Sequence, residues 1–316
     1  MYRFTVRPTR ALHLLLWLVA IAGAIPAQAA WKYTSIDYPG ATSTGVYGLN
    51  DRGEAVGQAT VGATTIGFTY NTKKATFTVL PNVPGAPITN TLAINNAGVV
   101  VGSAGDGTDD RGIILDKGAF SFFTNPGWAL TSGRGISNNG LVAGYSSDST
   151  GSSSVGFIYD PSDNSFSQFL PSAYTIAQGI NSRKQVVGHV TLDANVAYPG
   201  APAGGYGFLR EVTGAIIVFQ VNDAYVTRAR GITNSGLITG FFRDIVTGTR
   251  RGFFAQLAAS PAFQAVTVQG DGLLDMPGGA ETVPEAINNS GHIAGVWIDA
   301  AGNGHGFFAA PVPGKK

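Results

Sequence analysis

The 316-residue sequence contains no cysteine. Its stability therefore owes nothing to disulfides, and thiolate metal sites and cysteine nucleophiles are excluded. Charge is sparse: 12% of residues are Asp, Glu, Lys or Arg, and basic residues never run longer than a pair. A chain so weakly charged lacks the footprint of a nucleic-acid or anionic-membrane binder, so neither is expected as a partner. Amphipathic helical periodicity is missing throughout. Past the first 30 residues no continuous apolar segment is long enough to span a bilayer, so no stable membrane insertion is expected. Histidine is scarce too. Beyond the N-terminal region only His189, His292 and His305 remain, with no pair at helical metal-ligand spacing and no G-x-S-x-G nucleophile motif. Neither a metal nor an organic cofactor is expected.

The first residues do have an apolar run. Arg3, Arg7 and Arg10 precede "ALHLLLWLVAIAGAI" (Ala11 to Ile25), and Ala27-Gln28-Ala29 follows. That is the layout of a secretory signal peptide. The reading is a leader over 1–29 and a single domain over 30–316, exported to the periplasm or the extracellular space. Without the leader the chain has 17 basic and 19 acidic residues, net −2.

Glycine is abundant, at 44 residues, and 44% of the chain is hydrophobic. This composition suits short strands joined by tight turns and argues against disorder. One phrase recurs six times: "YGLNDRGEAVG" from Tyr47, "LAINNAGVVVG" from Leu92, "RGISNNGLVAG" from Arg134, "QGINSRKQVVG" from Gln178, "RGITNSGLITG" from Arg230 and "EAINNSGHIAG" from Glu285. Its aliphatic residue falls at Leu49, Ile94, Ile136, Ile180, Ile232 and Ile287, spaced by 45, 42, 44, 52 and 55. A period in the forties without helical pattern predicts a four-stranded propeller blade per repeat. The fold class read from the sequence is thus all-β, a six-bladed β-propeller of four-stranded antiparallel blades.

Within each repeat the first strand ends at the aliphatic residue, and a tight Asn-rich turn follows. The turn closes on a glycine at Gly53, Gly98, Gly140, Gly236 and Gly291, with Lys184 in the same place in repeat four. A second glycine (Gly57, Gly102, Gly144, Gly188, Gly240 and Gly295) lies in the second strand, as expected where a backbone or an aromatic ring comes close. The last repeat lacks its own fourth strand. "WKYTSIDYPGA" (Trp31 to Ala41) resembles the fourth-strand segment "TFTVLPNVPGA" (Thr76 to Ala86), so the N-terminal strand is expected to close the ring.

With "INNSGHIAG" followed by "HGFF", the chain resembles the HAF-type extracellular repeat family of secreted bacterial β-propeller-like proteins. The resemblance spans all six repeats, although the His-Ala-Phe signature is present only loosely, as His305-Gly306-Phe307 and as x-Gly-Phe elsewhere. It implies an exported propeller and leaves activity open.

Loop length varies on one face only, in "SAGDGTDDRG" (Ser103 to Gly112), "YSSDSTGSSSVG" (Tyr145 to Gly156), 189–207 and 269–281. Variable loops on a uniform scaffold point to a binding face. The residue two before the aliphatic one is Tyr47, Leu92, Arg134, Gln178, Arg230 or Glu285, in the strand nearest the axis. These positions predict a polar ring at the channel mouth, with Trp128, Tyr198 and Tyr225 in nearby loops as stacking surfaces. Arginines with aromatics suit a sugar or a small carboxylated molecule. The leading functional reading is a non-enzymatic binding propeller for an extracellular ligand or partner, a carbohydrate or a surface protein. A glycan hydrolase using Glu285, with Asp275 as second carboxylate, is the alternative. A structural surface or matrix protein is the third. Internal pairing, as of Arg230 with Glu285, competes with ligand binding at the ring.

Overall fold

The computed structural model describes residues 31–106, 109–169, 174–192, 204–268 and 272–312. The leader, Tyr198 and parts of three variable loops lie outside the described residues. The architecture is an all-β propeller. Among the described residues no helix is long and apolar enough to cross a membrane.

An outer strand, β1 (Trp31–Ile36), comes first. Repeat one forms β2 (Ser43–Leu49), β3 (Glu54–Val61), β4 (Thr64–Asn71) and β5 (Thr76–Val79). Repeat two forms β6 (Ile88–Ile94), β7 (Val100–Gly105), β8 (Arg111–Asp116) and β9 (Ala119–Phe123). Repeat three forms β10 (Leu130–Ile136), β11 (Val142–Ser147), β12 (Ser154–Asp160) and β13 (Ser165–Phe169). Repeat four contributes β14 (Tyr174–Ile180), β15 (Val186–Leu192), β16 (Gly204–Arg210) and β17 (Ile216–Val221). Repeat five contributes β18 (Ala224–Ile232), β19 (Leu237–Asp244), β20 (Arg250–Gln256), β21 (Phe263–Val266) and β22 (Leu273–Leu274). Repeat six ends the chain with β23 (Glu281–Ile287), β24 (Ile293–Ile298) and β25 (Gly304–Pro311).

The sheet count differs from six separate blades. Among the described residues four sheets have four strands each, and repeats four and five share one nine-stranded sheet. Two features join them. Gly205 on β16 pairs in parallel with Val226 on β18. Strand β21 pairs in parallel with β17, from Val218↔Phe263 to Val221↔Val266. Strand β21, next in order after β20, thus lies on repeat four, and the two-residue β22 pairs with β20 instead.

The N-terminal strand is the outermost strand of the last sheet, in the order β1-β25-β24-β23. Its register runs from Trp31↔Pro311 to Ile36↔Gly306. Ile36 is buried with Val46, Phe68 and Ala294, which belong to the first and last repeats. Side chains fasten the end of this strand. His305 Nδ1 lies 2.6 Å from Asp37 Oδ1, and its Nε2 lies 3.4 Å from Asp299 Oδ2. Its ring stacks on Trp297 with centroids 4.4 Å apart. Trp297 Nε1 donates to Ser35 Oγ, which donates to Asp37 Oδ2.

Two outcomes are expected. At the tight turn of repeat four, Lys184 adopts φ of 65°, where the other five repeats carry glycine. Lys184→Gly should raise the melting temperature through relief of about 1 kcal/mol of left-handed strain; an unchanged or lower midpoint contradicts this. At the latch, partial burial opposes the charged His305, but the Asp37 and Asp299 contacts prevail and move its pKa up. A raised histidine stabilises below its unfolded pKa of about 6.5 and loses that contribution as pH rises through the folded value. Wild type should therefore lose more melting temperature than His305→Gln between about pH 6 and about pH 8. Parallel pH profiles would show that the contact carries no charge.

Candidate functional site

The repeated phrase does more than make turns. Its first polar residue forms the local turn: Asn50 Oδ1 accepts from the Arg52 and Glu54 amides, and Asn288 Oδ1 from those of Ser290 and His292. The Nδ2 of the same residue reaches the next repeat, from Asn50 to the Asn95 carbonyl, Asn181 to Thr233 and Asn288 to Asn50. Its second polar residue uses its side chain as the acceptor, so the side chain reaches back to the preceding repeat. The backbone N–H of Asp51 donates to Asn96 Oδ1, Asn96 to Asn138, Ser182 to Asn234, Asn234 to Asn289, and Asn289 to Asp51. The relay encircles the axis and closes between the last and first repeats. Serine at position 182 has no side-chain amide, which interrupts it once.

Asp51 is the anionic member of that ring. Burial works to raise its pKa, but hydrogen bonds from Asn289, Asn96 and Asn138 prevail and hold the carboxyl below its usual range. Three asparagine amides donate to Asp51 Oδ2, at 2.8, 3.0 and 3.4 Å.

Further along the axis stand the six aliphatic residues Leu49, Ile94, Ile136, Ile180, Ile232 and Ile287. They line two axial cavities, so they form an apolar girdle between the asparagine turns and the loop-rich side. A channel interrupted by apolar side chains is what a purely structural role would also produce. The girdle is tight because a small residue precedes each aliphatic one. A Cβ at Gly48 would lie 2.7 Å from Ala93 Cα, and one at Gly179 would lie 2.7 Å from the Arg230 carbonyl oxygen.

The polar ring lies beyond the girdle. Tyr47, Arg134, Gln178, Arg230 and Glu285 line the second cavity together. Leu92, the sixth position, is buried in the core and is not part of that lining. A shared backbone feature places all six. The register of each innermost strand slips at this residue: between Val46 and Gly48, Thr91 and Ala93, Gly133 and Gly135, Ala177 and Gly179, Ala229 and Gly231, and Pro284 and Ala286. Every ring position is thus the extra residue of a β-bulge, a device that turns a side chain out of the regular pleat. The second-strand glycine complements it. A Cβ at Gly144 would overlap the Ser132 carbonyl and the Phe157 ring, and Gly188 has the same relation to Ile176 and Phe208.

The residue after that glycine packs beside the bulge. Tyr145 lies under the Arg134 guanidinium at 5.3 Å, and Phe241 lies under that of Arg230 at 5.2 Å. His189, at the same place in repeat four, is buried. Its pKa is pushed well below the usual histidine range by burial first and then by Arg230, Arg228 and Arg134. Arg228 lies two residues before Arg230 on the same strand, toward the loop-rich face, and its guanidinium lies 5.9 Å from the Phe241 centroid.

The charges are poorly matched. Arg230 Nε lies 3.4 Å from Glu285 Oε2, with each side chain 13% exposed. That is an ion pair without hydrogen-bond geometry: the buried Nε atoms of Arg230 and Arg134 both lack a hydrogen-bond partner, as does His189 Nδ1. Burial raises the pKa of Glu285 although Arg230, Arg134, Arg250 and Arg228 all act to lower it. Burial likewise lowers that of Arg230. Tyr47 is pushed up by burial and then by Glu285.

The other expected site residues are elsewhere. Tyr225 is the second residue of β18 rather than a loop residue, and 64% exposed. Trp128 follows the turn after β9 and does not line the cavity. Asp275 pairs with Arg251 and does not reach the lining. The second carboxylate needed by the hydrolase reading is therefore missing from this cavity. Among the described residues no three His, Asp or Glu side chains are grouped to hold a metal.

No family model matches the chain. Nor does any curated protein match it by sequence. In fold it is similar to an oligogalacturonate lyase in complex with manganese, with TM-score 0.51, 8% identity, and 90% of this chain and 94% of that one covered. It is also similar to the β-propeller domain of the Trilobed protease from Pyrococcus furiosus, with TM-score 0.46, 8% identity and 86% of each chain covered. The PQQ-bound aldose sugar dehydrogenase from Streptomyces coelicolor gives TM-score 0.47, 12% identity, and 89% and 98% covered. At such identities the likeness speaks for the fold alone, and the two scores below 0.5 carry no argument.

Gly144→Ala tests the bulge geometry. The clash with Ser132 and Phe157 should cost about 3 kcal/mol in chemical denaturation. A loss within about 0.5 kcal/mol would show that the bulge does not depend on glycine opposite it.

Proposed function

We propose that this chain is an exported, non-catalytic propeller that binds a small polar ligand, a carbohydrate or a carboxylated molecule, at the loop-rich mouth of its channel. The bulged ring is the observation that supports the reading. Five of its six positions hold polar side chains that line one cavity. Holding polar groups there with donors unmatched costs stability, and a ligand that matched them would offset the cost.

Export rests on the leader-like N-terminus and on the resemblance to secreted repeat proteins; a surface protein is the alternative partner. The hydrolase reading is weaker, because Glu285 has no second carboxylate beside it in the cavity lining. The apolar girdle fits a structural protein as well, but it also fits a blind pocket floored by Leu49, Ile94, Ile136, Ile180, Ile232 and Ile287.

The test is a glycan array and a panel of small carboxylates, read against Arg134→Ala and the neutralised pair Arg230→Gln/Glu285→Gln. Binding by wild type that disappears in Arg134→Ala, with melting temperature little changed, is the expected result. Loss of stability with binding retained would assign the arginines to packing and overturn the proposal.

A further inference from the structure

The chemistry of the cavity narrows the ligand beyond the reading above, on which this inference rests. The space open to the centres of water-sized molecules is about 70 Å³. One water needs roughly 10–15 Å³ by that measure. The cavity therefore takes in a few waters or one compact group of a ligand.

Its electrostatics are predominantly positive. The lining sets Arg134 and Arg230 against the single carboxylate Glu285, a surplus of one positive charge, and Arg228 acts on Glu285 from outside the lining. The fourth arginine acting on it, Arg250, is already engaged with Glu281 at 2.5 Å. Glu285 does not satisfy even one of the three well. Charge-assisted N–H···O bonds run about 2.7–2.9 Å, whereas Glu285 stands 3.4 Å from Arg230 Nε. Arg134 Nε has no partner. Two guanidinium groups, each over an aromatic ring and with a buried N–H unmatched, form an arrangement suited to a carboxylate or another small oxyanion.

We propose that the ring is a compact-anion site, in which Arg134 and Arg230 clasp a carboxylate-sized group and Glu285 acts as its internal competitor. An incoming anion takes over the contact that Glu285 makes loosely. Protonation of Glu285 removes the competing charge, so binding tightens toward acid pH, in keeping with the burial that favours its neutral form. Arg228, two residues closer to the loop-rich face, extends the positive field toward the opening and attracts the anion.

The experiment measures melting temperature against sodium acetate, inorganic phosphate and a neutral sugar such as galactose, with ionic strength held constant by sodium chloride. Acetate should stabilise wild type beyond chloride. Glu285→Gln should bind it roughly tenfold more tightly, the equivalent of about 1.4 kcal/mol, and lose the pH dependence. Arg134→Gln should abolish the effect. Arg230→Gln alone would strand a buried carboxylate, so the neutralised pair Arg230→Gln/Glu285→Gln is used and should also lose it. If neither acetate nor phosphate stabilises wild type or Glu285→Gln, the inference is wrong. If galactose stabilises and anions do not, the anion site is wrong while the binding function survives; if no probe binds, both fail. An acetate effect that persists in Arg134→Gln and in the double variant puts the anion elsewhere and also overturns the inference.

Discussion

The propeller depends on how closely its innermost strands approach one another around the axis. A glycine or alanine before each girdle residue permits that approach, since a Cβ at Gly135 would lie 2.6 Å from the Gln178 carbonyl oxygen. Close packing of backbones leaves little room along the axis. The bulge and the second-strand glycine then decide what fills it, because the extra residue escapes the regular alternation of the strand. Scaffold and site are in this sense one construction: the small residue that lets the strands converge directly follows the bulged residue, Arg134, Arg230 or Glu285, that is presented to the cavity.

The asparagine relay is the second support. Local turn bonds and cross-repeat bonds use different atoms of the same side chains, so each repeat is tied to its own hairpin and to its neighbour. The ring closes through Asn289 and Asp51, and outside it the β1–β25 pairing closes the last sheet. Closure at two radii leaves the first and last repeats joined both near the axis and at the rim.

Much of this was legible in the sequence. The period in the forties, the turn glycines, the lone Lys184 and the fourth-strand likeness of Trp31 to Ala41 all follow from local chemistry that repeats six times. The position of the polar ring was legible for the same reason, although strand alternation gives no hint of the bulge that places it. Other features were not. Strand β21 leaves its own repeat because Phe263 to Val266 find a partner edge on β17, a choice between two edges that propensity does not decide. Leu92 was read as part of the ring, but an apolar side chain gains more from the core. Tyr225 reads as a loop residue because β18 begins earlier than the innermost strands of the other repeats. The asparagines were read as turn formers alone, and their reach into the next repeat depends on strand convergence. The small residue before each girdle position and the residue after each second-strand glycine were present as signals; both are recognisable once bulge and glycine are seen as a pair.

The central claim is that two guanidinium groups with unmatched buried N–H donors face a shared cavity that accepts an anion. Bromide is compact, spherical and visible by anomalous scattering, so crystals grown without carboxylates and soaked in sodium bromide offer the most direct measurement. The account predicts an anomalous peak between Arg134 and Arg230, on the loop-rich side of the aliphatic girdle. A map with no peak there, or with Glu285 in close bidentate contact with Arg230, would contradict it.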